Sequence, residues 1–129
     1  MQVEIVHIEQ PPGGEAAVEV RSDLGRFPAR WHGPPPAVGA RVDVELSLDH
    51  RFTWGVDAVA VDEQPHAITP AAGDGVVFLA SVDQLDDGGF VGLRLGRSVL
   101  MAEADGEPPP VGSTVRLEAP AVTLFDTGT

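Results

Sequence analysis

The stretch PPPAVGARVDVELSLDHRFTWG, residues 34–55, has a second version in the same chain, PPPVGSTVRLEAPAVTLFDTG, residues 108–128. Residues 3–55 align without a gap to residues 76–128 at an offset of 73, with 13 identities in 53 positions. Self-similarity at a fixed offset is typical of a duplicated structural unit. The sequence therefore predicts two copies of one small module.

The fold class follows from short runs in which apolar and polar residues alternate. Such runs, bounded by Gly, Pro or Asp, recur along the chain, and no window of a dozen residues carries a helical period. Long helices are also disfavoured by 12 prolines and 15 glycines. The pattern predicts an all-β protein with strands at residues 3–9, 16–22, 27–32, 41–48, 52–61, 76–82, 90–95, 98–104, 114–119 and 121–125.

The repeat predicts a first β-module at residues 1–63, a linker at 64–75 and a second β-module at 76–129, packed as one unit. Four to five short strands per module favour a small barrel of the OB or SH3-like kind. The alternative is a single β-sandwich of nine to ten strands. The second copy ends soon after its last strand, so we expect that strand to be short or to take a neighbour from the first copy. Because Phe52 and Phe125 align, both are expected in the core.

The charge of the chain narrows the classes of partner. The formal net charge is -12, and eight arginines with no lysine provide no basic footprint for phosphates. Nucleic acid and anionic membrane surfaces are therefore excluded as expected partners. The same negative field favours a basic protein, although acidity also serves solubility alone.

Cellular location and covalent chemistry are also limited by composition. The chain has no cysteine, which excludes disulfides, thiol catalysis and thiolate metal sites. Its N-terminal residues lack the pattern of a secretory signal, and no apolar run approaches the length of a membrane span. A soluble cytoplasmic protein is the expectation.

Few residues indicate catalytic or metal chemistry. No phosphate-binding loop, nucleophile elbow or zinc-protease motif is present. The histidines lack metal-ligand spacing, and we predict no metal and no cofactor; they are His7, His32, His50 and His66. The acidic segment DQLDDGG, residues 83–89, resembles a cation-binding loop, but a hairpin turn is the favoured interpretation.

The two tryptophans are the strongest candidates for binding. Trp31 and Trp54 align with Ala104 and Thr127, so the module does not need them to fold. Tryptophan and arginine are the residues that most often anchor protein interfaces. We therefore predict an interface formed by Arg30, Trp31, His32 and Trp54. The alternative is that the tryptophans pack over a barrel end or against the other copy.

These features favour a non-enzymatic, acidic protein-binding module. A specific form is an inhibitor or immunity-type protein that blocks a basic target. The alternative function is an enzyme that processes a small molecule between the two copies, with His32, His50 and Asp49 as acid–base groups. Assembly with other copies through an exposed strand edge is a third interpretation, which leaves homo-oligomers open.

Overall fold

The computed structural model describes residues 1–127, and these residues form strands without any helix. None of this described part could therefore cross a membrane as a helix. The all-β prediction is confirmed. The strands are β1 (Gln2–Glu9), β2 (Ala16–Ser22), β3 (Gly25–Trp31), β4 (Arg41–Ser47), β5 (Arg51–Thr53), β6 (Ala58–Ala60), β7 (Ala67–Pro70), β8 (Val76–Leu85), β9 (Phe90–Leu95), β10 (Ser98–Asp105), β11 (Thr114–Ala119) and β12 (Thr123–Asp126).

The strands form two small barrels, as the repeat predicts. Barrel 1 is closed and has the order β1-β2-β3-β12-β4, with β4 pairing back to β1. Barrel 2 has the order β5-β10-β9-β8-β11-β6, and a single bridge between Trp54 and Ala58 nearly closes it. The run predicted as one strand at 52–61 is split into β5 and β6, because Gly55 turns the chain with φ 90°. Strand β7 lies within the predicted linker and pairs with β8.

Each barrel is completed by a strand from the other repeat. Strand β12, from the second repeat, lies between β3 and β4 of barrel 1, parallel to the former and antiparallel to the latter. Strand β5, from the first repeat, lies parallel to β10 of barrel 2. The last strand thus takes its neighbours from the first copy, as expected. Pairing between the repeats covers edges that would otherwise be open.

The exchanged strands differ in register from the sequence alignment. Phe52 is buried in barrel 2 opposite Ala104, whereas its aligned partner Phe125 is 37% exposed. Leu124 fills the equivalent buried position in barrel 1, opposite Trp31. Trp31 and Ala104 are equivalent in the repeat. The larger of the two, Trp31, lies opposite Leu124, and the smaller, Ala104, lies opposite the larger Phe52. A shift of one residue reverses the face of every side chain in a strand. The expectation that Phe125 lies in the core is therefore wrong.

A tight seam holds the barrels together where β7 passes the turn between β2 and β3. The amide of Ile68 donates to the carbonyl of Leu24 at 3.0 Å. A β-carbon on Gly25, whose φ is 142°, would lie 2.0 Å from the carbonyl oxygen of Ile68. Only glycine permits this backbone contact. Leu24 also packs against Gly96 in the turn between β9 and β10.

Candidate functional site: the groove between the barrels

A groove of about 940 Å³ lies between the two barrels. Its walls are residues 43–51, which include β4 and the crossover to β5, and residues 97–103 of β10 and the turn before it; Met1, Phe90 and Thr127 complete them. Its volume is in the range of ligand-binding clefts. The crossover from barrel 1 to barrel 2, residues 48–50, forms part of the groove wall.

One side of the groove is apolar and accessible. Val99, Met101 and Phe90 are 52%, 56% and 43% exposed. The two residues on β10 point outward because Leu100 and Ala102 occupy the alternate, buried positions. Gly92 of β9 lies opposite Met101 of β10, and because glycine has no side chain, it leaves Met101 uncovered. Clustered apolar side chains of this kind mark interaction sites on protein surfaces.

Carboxylates outnumber cationic groups around the groove. Arg51 is already engaged, because its Nη1 donates to Glu103 at 2.6 Å and its Nε donates to Asp105 at 2.9 Å. The Met1 ammonium donates to the carbonyl of Val44 at 3.0 Å. The groove is lined by four acidic residues, Asp43, Glu45, Asp49 and Glu103, against three cationic groups, the guanidiniums of Arg51 and Arg97 and the Met1 ammonium. The groove therefore carries an excess of carboxylate groups in a protein that is itself strongly negative.

Asp49 anchors the crossover to the exchanged strand. Its carboxylate accepts hydrogen bonds from the Ser47 hydroxyl at 2.6 Å and from the Thr123 hydroxyl at 2.5 Å. These two bonds, that of Ser47 first, lower the pKa of Asp49 although partial burial raises it. Asp49 also has a positive φ of 49°, which short polar residues tolerate better than others. The geometry gives Asp49 a role in holding β12 beside the crossover.

His50 forms a pair with Asp57 that the sequence did not predict. The His50 Nε2 lies 2.6 Å from the Asp57 Oδ2, and the Thr53 amide donates to the other carboxylate oxygen at 2.7 Å. Burial is the largest influence and raises the pKa of Asp57, but these hydrogen bonds together outweigh it and lower the pKa. The His50 ring also packs edge-on against Phe52, with centroids 4.8 Å apart. A histidine oriented by a carboxylate is a common arrangement for a general base.

The residues predicted to form an interface lie in different environments. Trp31 is 1% exposed inside barrel 1, where its Nε1–H donates to the Pro34 carbonyl at 3.1 Å. Arg30 and His32 are on the outer face of the same barrel, and the His32 ring contacts Phe125 with centroids 4.8 Å apart. Trp54 is half-buried and belongs to barrel 2. Trp31 is thus inaccessible in this structure, whereas the other three reach the surface.

The acidic segment at residues 83–89 comprises the end of β8 and the turn at residues 86–89 that leads into β9, so the hairpin interpretation is confirmed. Asp86 stabilises it by accepting the amides of Gly88 and Phe90 at 2.8 and 3.1 Å. His66 has a local role in the seam, since its Nδ1 accepts the Gly96 amide at 2.7 Å. Within residues 1–127, no cluster of three or more His, Asp or Glu side chains is arranged to hold a metal ion.

Sequence reasoning missed the apolar wall of the groove. The signal was the run VLMA, residues 99–102, which is apolar at consecutive positions. In a strand, such a run places apolar side chains on both faces, as is typical of strands covered on both sides. Here one face lies in the barrel core and the other faces the groove.

The fold and the groove together define a class of protein: two small β-barrels with exchanged strands that enclose a groove. The chain matches no protein-family model, no curated protein and no solved structure. The function is therefore argued from the groove itself.

Proposed function

We propose that the protein is a non-enzymatic binding module that engages a basic protein through the groove between its barrels. The observation that carries this proposal is the apolar wall of Phe90, Val99 and Met101 beside an excess of carboxylates. Buried apolar anchors supply most of the affinity of a protein interface. Charge complementarity accelerates encounter and selects the partner.

The charge of the protein favours a basic partner over other occupants. With a formal net charge of -12, a second copy of the chain is repelled at long range, as is any phosphate backbone. A basic protein is instead attracted. In its specific form, the proposal is that the protein acts as an inhibitor or immunity-type partner that covers a basic toxin or nuclease.

The predicted anchor residues take different parts in this proposal. The half-buried Trp54 borders a cleft next to the groove and is retained as a contact residue. Arg30 and His32 are accessible on barrel 1 but line neither the groove nor the cleft, and they are retained as candidate contacts outside both. Trp31 is buried inside barrel 1, and only accessible side chains can be buried by a partner. The proposed anchor is therefore the apolar wall and not Trp31.

The test is capture of partners from a lysate of the native host with the tagged wild type and with two variants. Met101→Asp places a charge on the apolar wall, and Val38→Asp makes the same kind of change at a valine that is 61% exposed outside the groove. We expect a stoichiometric basic protein that is retained at low salt, lost at high salt, lost with Met101→Asp and retained with Val38→Asp. Circular dichroism checks that both variants fold. An acidic partner, or equal capture by both variants, contradicts the proposal.

A second candidate function is an enzyme that processes a small molecule in the groove. The observation that favours it is the 2.6 Å contact between His50 and Asp57 at the groove wall. A panel of ester, amide and phosphate substrates tests it. Turnover that is lost in His50→Gln but retained in His7→Gln, an exposed histidine outside the groove, would support this function. Turnover that survives His50→Gln would dismiss it.

A further inference from the structure

A second depression adjoins the groove at the C-terminal end of β10. This cleft of about 420 Å³ is bordered by Trp54, by residues 85–91 and by residues 104–106. Arg51 and Phe90 line both the groove and the cleft. The two depressions therefore adjoin each other at Arg51 and Phe90, and together they are here called the track, which follows the outward-facing residues of β10 from Val99 to Asp105.

The two ends of the track differ in chemistry. The groove end presents Val99 and Met101, both more than half exposed. The cleft end presents the carboxylates of Asp86, Asp87 and Asp105 beside the half-buried Trp54. Arg51 lies between the ends, and its guanidinium is already bound to Glu103 and Asp105. The cleft end is thus acidic with an aromatic wall, a combination that suits a cationic side chain.

The spacing along the track matches an extended chain. The outward-facing residues of β10 are every second residue from 99 to 105, a distance of about 20 Å at about 3.3 Å per residue. An extended segment lying over the outward face of β10 presents its own side chains at the same period. Aliphatic residues can then face Val99 and Met101 while a basic residue faces the cleft.

We infer that the track binds an extended segment of the basic partner, with aliphatic residues at the Val99–Met101 end and Arg or Lys at the Asp87–Asp105 end. The two groups are separated by about four to six residues, the length of the track at strand spacing. The inference rests on the proposed function. It adds the conformation of the bound segment and the order of its residues.

Three capped synthetic peptides test this order on the full chain. The ordered peptide is Leu-Thr-Ile-Ser-Arg-Ser-Lys, and its isomer Leu-Arg-Thr-Ser-Ile-Lys-Ser has the same composition with the two chemistries mixed. The third, Gly-Thr-Gly-Ser-Arg-Ser-Lys, keeps only the basic end. Calorimetric titration measures affinity, and amide shifts in the NMR spectrum locate the contact. We expect the ordered peptide to bind about fivefold or more tightly than the other two, the effect of one or two anchored aliphatic side chains.

Variants separate the two ends of the track. Met101→Ser should weaken binding of the ordered peptide about fivefold or more and leave its salt dependence unchanged. Asp87→Asn should weaken binding about two- to fivefold and reduce the salt dependence, because an exposed charge contact contributes little more. Asp62→Asn is the matched control, since Asp62 is an exposed acid outside the track. It should change neither quantity.

The outcomes distinguish this inference from the proposed function. Equal binding of the ordered peptide and its isomer would overturn the two-ended track while a basic partner could still be captured. If no peptide binds but the basic protein is captured through Met101, the groove takes a folded surface and the inference of an extended segment is wrong. Loss of both peptide binding and capture contradicts the proposed function itself.

Discussion

Replacing Leu124 with alanine should destabilise the protein far more than replacing its neighbour Phe125. Leu124 has no accessible surface and lies between Trp31 of β3 and Leu46 of β4 in a closed barrel. Its neighbours are held by backbone hydrogen bonds and cannot collapse into the space left by the lost carbons. Large-to-small changes at such sites cost about 2–5 kcal/mol. Phe125 is 37% exposed and contacts His32, so Phe125→Ala should cost about 1 kcal/mol.

Urea unfolding followed by circular dichroism measures both changes in the free energy of unfolding. Both variants replace a residue of β12 with alanine, so the effect of alanine on strand propensity is similar in the two and does not explain a difference between them. Phe52→Ala extends the comparison, because Phe52 fills the equivalent buried position in barrel 2 and should cost about 3–5 kcal/mol. A larger effect for Phe125→Ala than for Leu124→Ala would refute the exchanged register and restore the alignment of Phe125 with Phe52.

Three further predictions concern the exchange, the seam and the pH dependence. Residue 63 lies in an exposed segment, and specific proteolysis after it should leave the two fragments together in size-exclusion chromatography, because each barrel contains strands from both fragments. Fragments that separate without denaturant would show that the modules are independent. Gly25→Ala should lower the midpoint of thermal unfolding strongly, since its β-carbon would collide with the Ile68 carbonyl, and an unchanged midpoint would refute the seam. The folded-state pKa of Asp57 lies below its ordinary 3.8, so its contribution to stability is present above about pH 4 and is lost as pH falls through the folded-state pKa. Urea unfolding across this range should show a flatter acid limb for Asp57→Asn, and an identical limb would dismiss the role of Asp57.

Much of the candidate site lay beyond the reach of sequence reasoning. His50 and Asp49 were recognised as candidates, but the partner of His50 is Asp57, seven positions away, and one of the two partners of Asp49 is Thr123, in the other repeat. A turn and an exchanged strand bring these groups together. Trp31 was predicted at an interface because its repeat equivalent is alanine. In the structure, Trp31 instead lies inside barrel 1 opposite Leu124 of the exchanged strand, whereas Ala104 in barrel 2 lies opposite the larger Phe52. The division of the chain at residues 64–75 and the cytoplasmic location stay predictions.

The sequence by itself determined the class of the protein and its duplication. Alternation of apolar residues requires strands wherever one face is buried, and two related sequences fold into related barrels because the same pattern meets the same constraints. The strongly negative net charge of the protein likewise follows from its composition alone. Only the tertiary structure decided which repeat supplies the last strand of each barrel, which residue of that strand is buried, and where the groove lies. Those choices depend on backbone pairing and side-chain volume between segments more than 50 residues apart, such as Trp31 with Leu124 and Ala104 with Phe52. Interactions over such distances leave no periodic trace in the sequence, because each is decided by the fit of a single pair.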